Sequence, residues 1–170
     1  NQYNGRYDFT FVGNTLNTAE NGTGAPCTIT TSSSDNINLN SGDTVAAAYL
    51  YWAGSGTGDF DVKLNNQNIT ASRQFHIVQT SSGLSFFSAF ADITALVQAT
   101  GNGTYTLSEL DLTAVIANYC GNATNFGGWA ITVVYKNNAL PLNQLNVYDG
   151  LQFVPTAINI TLNSLNVVDN

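Results

Sequence analysis

The sequence predicts an all-β protein: an antiparallel β-sandwich, most simply a jelly roll, with one short helix near residues 92–100. Segments that alternate apolar and polar residues recur along the 170 residues, and glycine- and asparagine-rich turns separate them. About one residue in four is Asn or Thr; both are poor helix formers, and Thr suits strands. No regular alternation of helices with strands supports an α/β sheet.

The first predicted strand covers residues 6–12, where Tyr7, Phe9 and Phe11 share one face and make the strand half-buried. Polar stretches at residues 13–24 and 32–43 are predicted loops. The further predicted strands lie at residues 27–31, 59–64, 69–78, 84–91, 103–107, 112–116, 144–148, 151–154 and 158–162.

Residues 45–52 and 129–136 are the strongest strand candidates, because both are rich in β-branched and aromatic residues. Trp52 and Tyr49 lie on opposite faces of the first strand, which indicates a central strand covered on both sides. Trp129 begins an apolar face of the second strand. We interpret the two segments as facing core strands of one sandwich.

The single predicted helix follows a strand directly. Asp92 can cap it, Ile93, Leu96 and Val97 share one face, and Gly101 can end it. The whole chain, residues 1–170, is predicted to form one domain. Residues 156–170 are either part of it, a linker, or an edge strand exchanged with another chain.

The charge balance excludes several partners. Only four residues are basic and the formal net charge is −7, so neither nucleic acid nor an anionic membrane surface is an expected partner. No apolar run approaches the length of a membrane span, so membrane insertion is not expected. The start at Asn1 fits an N-terminus processed during export.

The two cysteines, Cys27 and Cys120, do not form a paired motif, and His76 is the only histidine. A zinc site is therefore not expected. In an exported protein this pair predicts a disulfide. The alternative is two buried free thiols, which behave as small apolar side chains.

Four phrases carry a family resemblance: Ala48–Gly54, Ala91–Val97, Gly128–Tyr135 and Leu142–Gly150. They resemble jelly-roll-like domains near the N-termini of very large surface adhesins of Bacteroidota, which the type 9 secretion system exports, including gliding-motility adhesins of the SprB kind. The resemblance implies an exported domain with a structural or adhesive role. It brings no ligand and no functional residue with it.

Carboxylates are the first candidates for chemistry. Asp59 and Asp61, with Asp8, Asp35 and Asp43, offer oxygen atoms of the kind that Ca²⁺ requires. No EF-hand spacing is present, and simple solvation of these side chains is the alternative. We expect no other cofactor.

Aromatic residues are the second candidates, since aromatic faces stack on the CH surfaces of sugars. They are Tyr49, Tyr51, Trp52, Trp129 and Tyr148. The two tryptophans lie in the strongest strands, which favours a place in the core. Catalysis is not expected, because the sequence has no G-x-S-x-G motif and no recognisable pair of facing carboxylates.

Several positions match glycan-attachment motifs. The N-glycosylation sequons place the modification at Asn21, Asn68, Asn102, Asn122 and Asn159. Asp43-Thr44-Val45 resembles the short O-glycosylation motif of Bacteroidota, with Thr44 as the acceptor. Chance matches are expected in a chain so rich in Asn and Thr.

The leading hypothesis is a non-enzymatic, extracellular domain of a large bacterial adhesin, acting in surface attachment or gliding. Its expected partners are other domains of the same long chain, the secretion or surface machinery, and surface glycans. One alternative is a carbohydrate-binding, lectin-like module. Another is a self-assembling surface-filament subunit that exchanges an edge strand such as residues 158–162.

Overall fold

The computed structural model describes residues 1–21, 27–154 and 157–163. Strands dominate these residues, and the two helices among them are short. The strands are β1 (Gln2–Gly5), β2 (Tyr7–Thr15), β3 (Ser32–Ile37), β4 (Thr44–Ser55), β5 (Asp61–Leu64), β6 (Gln67–Thr70), β7 (Arg73–Val78), β8 (Ser85–Asp92), β9 (Gly103–Ser108), β10 (Gly127–Lys136) and β11 (Asn143–Asn146). The helices are α1 (Thr94–Thr100) and α2 (Ala117–Cys120).

The strands form two main sheets and a small covering sheet. The five-stranded sheet has the order β2-β10-β4-β8-β7 and the four-stranded sheet the order β3-β9-β5-β6. Buried residues of both, such as Trp52 and Ile131 against Tyr105 and Leu107, form one core cluster between them. Every pairing is antiparallel. The predicted all-β sandwich is therefore confirmed.

The two strongest strands are neighbours, not opposing strands. β4 and β10 pair over ten residues in the same sheet, with Trp52 directly opposite Trp129. The prediction that they face each other across the core was wrong. Their apolar patterns match because adjacent strands in register present the same face to the core.

The outer face of the five-stranded sheet is partly covered by β1 and β11. Tyr49, Phe90 and Val134 are buried there, with Tyr3 and Leu145 of the covering sheet packed against them. This confirms that β4 is covered on both sides. The covering strands β1 and β11 do not extend over the exposed part of β2, at the edge of the five-stranded sheet.

The helix α1 ends where the sequence predicts, but it begins at Thr94 with Ile93 rather than Asp92 in the N-cap position. The N–H of Thr94 donates to the Asp92 carboxylate at 2.9 Å, and Gly101 follows with a positive φ of 70°. The predicted strand at residues 112–116 was wrong. Ile116 N–H donates to Leu112 C=O at 3.0 Å, so the two buried side chains are one helical turn apart.

Two polar segments also differ from the prediction. Residues 32–43 include β3, an edge strand on which only Ile37 is buried. Residues 27–31 form no strand, and Ile29 makes an isolated bridge with Asn17.

The C-terminal residues that the structure describes, 151–154 and 157–163, contain no strand. The strands predicted at 151–154 and 158–162 are therefore not formed there. Residues 155, 156 and 164–170 of the predicted linker or exchanged strand lie outside the described residues. Within the described ranges, no helix is long and apolar enough to cross a membrane.

Candidate functional site

An open groove lies on the outer face of the five-stranded sheet, where the covering sheet ends. Phe9 and Phe11 of β2 form one wall, and Leu145, Val147 and Tyr148 form the other. We call it the outer-face groove. Its volume is about 410 Å³, which is the size of a small ligand or a few side chains.

Short side chains set the depth of the groove. Ala130 of β10 lies on its floor and pairs in register with Gly13 of β2 and Tyr51 of β4. A Cβ atom at Gly13 would collide with the backbone of Trp129 and lie 2.7 Å from the Cα of Ala130. Glycine at this position therefore lets β2 stay close to β10.

Two aromatic side chains of the first wall are exposed. Phe9 is 42% and Phe11 62% exposed, and their ring centroids lie 5.2 Å apart in an edge-to-face arrangement. The sequence predicts correctly that they share a face of β2. The inference that this face is the buried one was wrong, because Val12 on the other face packs into the core.

The covering sheet is fixed by a cluster of hydroxyl groups. Tyr49 lies beneath it; its hydroxyl hydrogen-bonds the Tyr3 hydroxyl and accepts a bond of 2.7 Å from Asn1 Nδ2. Burial and then the bond to Tyr49 raise the pKa of Tyr3. These contacts hold β1 and β11 in place and define one border of the groove.

A charged pair closes one end of the groove. Arg73 of β7 pairs with Asp149 and stacks over the Phe90 ring, with its Cζ 3.8 Å from the ring centroid. Burial, and then the Asp149 carboxylate, raises the pKa of Tyr51 to about 12. Tyr51 is therefore a neutral phenol at physiological pH.

One amide group in the groove has no hydrogen-bond partner in the part of the chain that the structure describes. The Nδ2 atom of Asn146 is buried and makes no hydrogen bond to any described residue. A buried donor without a partner is costly, typically about 1–3 kcal/mol. Sequence patterns gave no signal for this group, because nothing local distinguishes it from the other asparagines.

Edge protection is visible along β2. Three of its backbone N–H groups donate to side chains rather than to another strand: Phe9 to Asp8 at 2.8 Å, Gly13 to Asp35 at 2.8 Å, and Thr15 to Asn14 at 2.9 Å. Such capping discourages the addition of a strand at this edge.

The predicted calcium ligands do not come together. Asp59 accepts from the N–H of Asp111 at 2.9 Å, and Asp61 from the Thr70 hydroxyl at 2.6 Å. Asp43 accepts from the N–H of Asn40 and from Asn137 Nδ2. Among the described residues, no group of three or more His, Cys, Asp or Glu could hold a metal ion.

Asp35 has the most specific environment of these carboxylates. Hydrogen bonds from the backbone N–H of Gly13 and then of Asn36 hold its pKa below its ordinary value of 3.8. It joins β3 of one sheet to β2 of the other. The sequence presents Asp35 as a candidate ligand, whereas its contacts are those of a structural cap.

The aromatic candidates separate into core and surface residues. Trp52, Trp129 and Tyr49 are buried, which confirms the core placement of both tryptophans. Tyr51 is half-buried, and Tyr148 is exposed. Only Tyr51 and Tyr148 of this set line the groove, while Phe9 and Phe11 were not on the list of candidates.

Cys27 and Cys120 form the predicted disulfide, with their Cα atoms 5.8 Å apart. The bridge attaches the segment after β2 to α2. His76 lies on β7, an edge strand, and its side chain is exposed.

The glycan-attachment candidates are all on the surface. Thr44, Asn21, Asn68, Asn122 and Asn159 are exposed. Asn102 is exposed too, but both ends of its amide bond the backbone of Leu39 at 2.8 Å. A glycan on Asn102 Nδ2 would replace one of the donor hydrogens near this contact.

No protein-family model, curated protein or solved structure matches the chain.

Proposed function

We propose that the chain is a non-enzymatic, exported domain of a bacterial cell-surface adhesin, which acts through structural and adhesive contacts. The observation that carries this proposal is the outer-face groove, in which Phe9 and Phe11 of β2 are exposed. Exposed aromatic residues beside a polar rim are typical of interaction sites. Among the described lining residues, the carboxylate of Asp149 is already paired with Arg73.

Composition and covalent structure support an extracellular location. A disulfide is stable in oxidising compartments and rare in the cytosol, and this fold has one between Cys27 and Cys120. Charged residues make up only 9% of the chain, so amide and hydroxyl groups form much of its polar surface.

Three of the four family-like phrases lie in the scaffold of the site. Ala48–Gly54 and Gly128–Tyr135 are central strands of the five-stranded sheet, and Leu142–Gly150 contributes β11 and the second wall of the groove. Their resemblance to type 9 secretion adhesins of the SprB kind supports export to the cell surface. The partners proposed on this basis are other domains of the same long chain, the surface machinery and surface glycans.

Surface display and attachment test the proposal. In a bacterium that carries the gene, an epitope-tagged protein should be labelled by antibody on intact cells. The variant Phe11→Asp should reduce attachment while display stays equal. Val78→Asp is the matched control, since Val78 is 51% exposed but lies on β7, away from the groove.

Two results contradict the proposal. Labelling that appears only after the cells are lysed would place the protein inside the cell. Equal attachment of cells that display the native protein and cells that display Phe11→Asp would show that the groove takes no part in adhesion.

A further inference from the structure

The edge strand β7 turns one row of backbone groups away from its own sheet. The N–H of Gln79 donates to Leu84 C=O, and the N–H of Gly56 donates to Ser85 C=O. Bonded and non-bonded pairs alternate along an antiparallel ladder, so these two contacts fix the direction of the peptide groups in β8 and β7. Residues 73, 75 and 77 bond to β8, whereas residues 74, 76 and 78 point outward.

The outward residues are Gln74, His76 and Val78, and all three are exposed. Among the described residues, none donates to or accepts from their backbone groups. Two of the three side chains are polar, which discourages the indiscriminate addition of apolar strands. At β2, the opposite edge of the sheet, side-chain oxygens occupy three backbone N–H groups. The outward groups of β7 carry no such caps and can bond a strand that matches them.

The stretch that contains β7 is free of acidic residues. All 11 Asp and Glu residues of the chain lie outside residues 62–91, whereas Lys63, Arg73 and His76 lie within this stretch. Two copies of a chain with a net charge of −7 therefore meet with little repulsion where this stretch contacts itself. The distribution of charge thus favours a second copy as the occupant of this edge.

The pattern of β7 complements itself about a two-fold axis at His76. When two β7 strands pair antiparallel with the axis there, His76 faces His76 of the second copy, and Gln74 faces Val78. Each of the three outward residues then donates one N–H and accepts one, in both copies, which makes six backbone hydrogen bonds. In this register no outward group of residues 74, 76 and 78 is left without a partner.

The same register brings apolar side chains together. Phe75 and Ile77 are half-buried on the outer face of the sheet, beside Ser88 and Phe86 of β8. With the axis at His76, Phe75 of each copy faces Ile77 of the other in a non-bonded pair, where side chains lie closest. Aromatic and β-branched residues that face each other across strands stabilise antiparallel sheets. A shift of the register by two residues would separate both pairs.

We infer that β7 of one copy pairs antiparallel with β7 of a second copy, so that the two five-stranded sheets become one continuous sheet. Both copies use the same residues, and such a contact closes after two copies. The inference is independent of the proposed function, because the exposed aromatic wall of the outer-face groove lies on β2, at the opposite edge of the sheet.

Sedimentation equilibrium of the purified chain tests the association. Native protein should show a monomer–dimer equilibrium without larger species. His76→Glu places two carboxylates directly opposite each other and should weaken dimerisation at least tenfold. Gln67→Glu is the matched control, since it adds the same charge at an exposed position of β6, an edge strand of the other sheet. It should leave dimerisation unchanged, and both variants should keep the native circular dichroism spectrum.

Single added cysteines test the register. The native cysteines are bonded to each other, so an added thiol can react only with its counterpart in another copy. Facing Cα atoms of a bonded pair lie about 5.5 Å apart, which suits a disulfide, so His76→Cys should form a covalent dimer on oxidation. Gln74→Cys alone should not, because the two copies of residue 74 are four positions apart along the ladder, about 14 Å. An equimolar mixture of Gln74→Cys and Val78→Cys should cross-link one variant to the other.

Three results overturn the inference. One is a native chain that remains monomeric at its highest soluble concentration. Another is a dimer that His76→Glu and Gln67→Glu affect equally, since the contact then lies elsewhere. The third is cross-linking of Gln74→Cys alone that equals cross-linking of the mixture, which excludes this register. Surface attachment keeps its own test: Val78→Asp lies in this ladder, and its attachment should stay normal because the aromatic wall of the groove is at the opposite edge.

Discussion

Removal of the Cys27–Cys120 bridge is the perturbation whose magnitude follows most directly from the structure. The two residues are separated by 93 positions, and their Cα atoms lie 5.8 Å apart in the folded chain. Closing a loop of this length lowers the conformational entropy of the unfolded chain. On the chain-entropy model, the bridge stabilises the folded state by about 4–5 kcal/mol.

That amount is large against the whole stability of a domain, which is typically about 5–15 kcal/mol. For a domain of this size, each kcal/mol corresponds to about 2–4 °C in Tm. Replacing both cysteines is therefore expected to lower Tm by about 8–20 °C. The native strands should persist below that temperature, because most of the core is formed by other residues.

The assay is guanidinium-induced unfolding of native protein and the double variant Cys27→Ser/Cys120→Ser, followed by circular dichroism. A second pair, Cys27→Ala/Cys120→Ala, controls for the polarity of serine. Thiol titration of unfolded native protein verifies that no free cysteine is present. A loss below about 1 kcal/mol, with the bond verified, would refute the loop-entropy argument.

Three further changes probe the sheet and its protection. Gly13→Ala should lower stability by about 1–3 kcal/mol through overpacking against β10, whereas Gly121→Ala enters open space and should be neutral in the same denaturant titration. Asp35→Asn should lower the free energy of unfolding in urea by about 1 kcal/mol at neutral pH. Because the pKa of Asp35 is lowered in the folded protein, its contribution to stability is present above about pH 4 and is lost as the pH falls through the lowered pKa. The pKa of Tyr51 is raised to about 12 in the folded protein. The neutral phenol therefore contributes its full stability below about pH 10, and this contribution is lost as the pH rises toward 12. Phenolate absorbance of native protein, compared with that of Tyr51→Phe, measures the titration of this group.

Each of these expectations has a clear contrary result. Equal stability of Gly13→Ala and Gly121→Ala would mean that β2 can move away from β10 without cost. A difference between native protein and Asp35→Asn that persists at pH 2 would show that charge is not the source of the effect. Loss of the Tyr51 phenol proton near pH 10 would contradict its burial beside Asp149.

The parts of the fold that the sequence predicted well have a strong periodic signal. Residues 129–136 alternate between the core and the outer face over a long run, and β10 follows almost the same bounds. Gly101 marked the end of α1, and Asp92, which accepts from the N–H of Thr94, lies two residues before its first residue; both signals are local. Such signals depend only on residues close in sequence, so they can be recognised without knowing which strand pairs with which.

Other parts depended on contacts distant in sequence. β3 looked like a loop because Ser and Asn dominate it, yet it pairs with β9 through bonds such as Ser34 Oγ to Thr106 Oγ1 at 2.7 Å. Leu112 and Ile116 suggested a strand, although their spacing also fits one helical turn. Pairing with distant strands and the disulfide determine which of these structures forms, and neither contact can be recognised from a short stretch of sequence.

The sequence did not predict the outer-face groove, and the reason is geometrical. Alternation showed that Phe9 and Phe11 share a face of β2, but a period of two does not tell which face meets the core. The opposite face carries Val12, a single apolar residue that nevertheless packs inward. The aromatic face remained exposed because the covering sheet ends before it reaches this part of β2.

The low charge of the chain explains how the edges of its five-stranded sheet are protected. Proteins often protect sheet edges with lysine, but this chain has two lysines, Lys63 and Lys136. At β2 the same protection comes from Asp8, Asp35 and Asn14, whose oxygens occupy backbone N–H groups. The other edge of that sheet, β7, is six residues long and carries exposed polar side chains. Capping oxygens at β2 and exposed polar side chains at β7 thus take the place that lysine has at the sheet edges of many proteins.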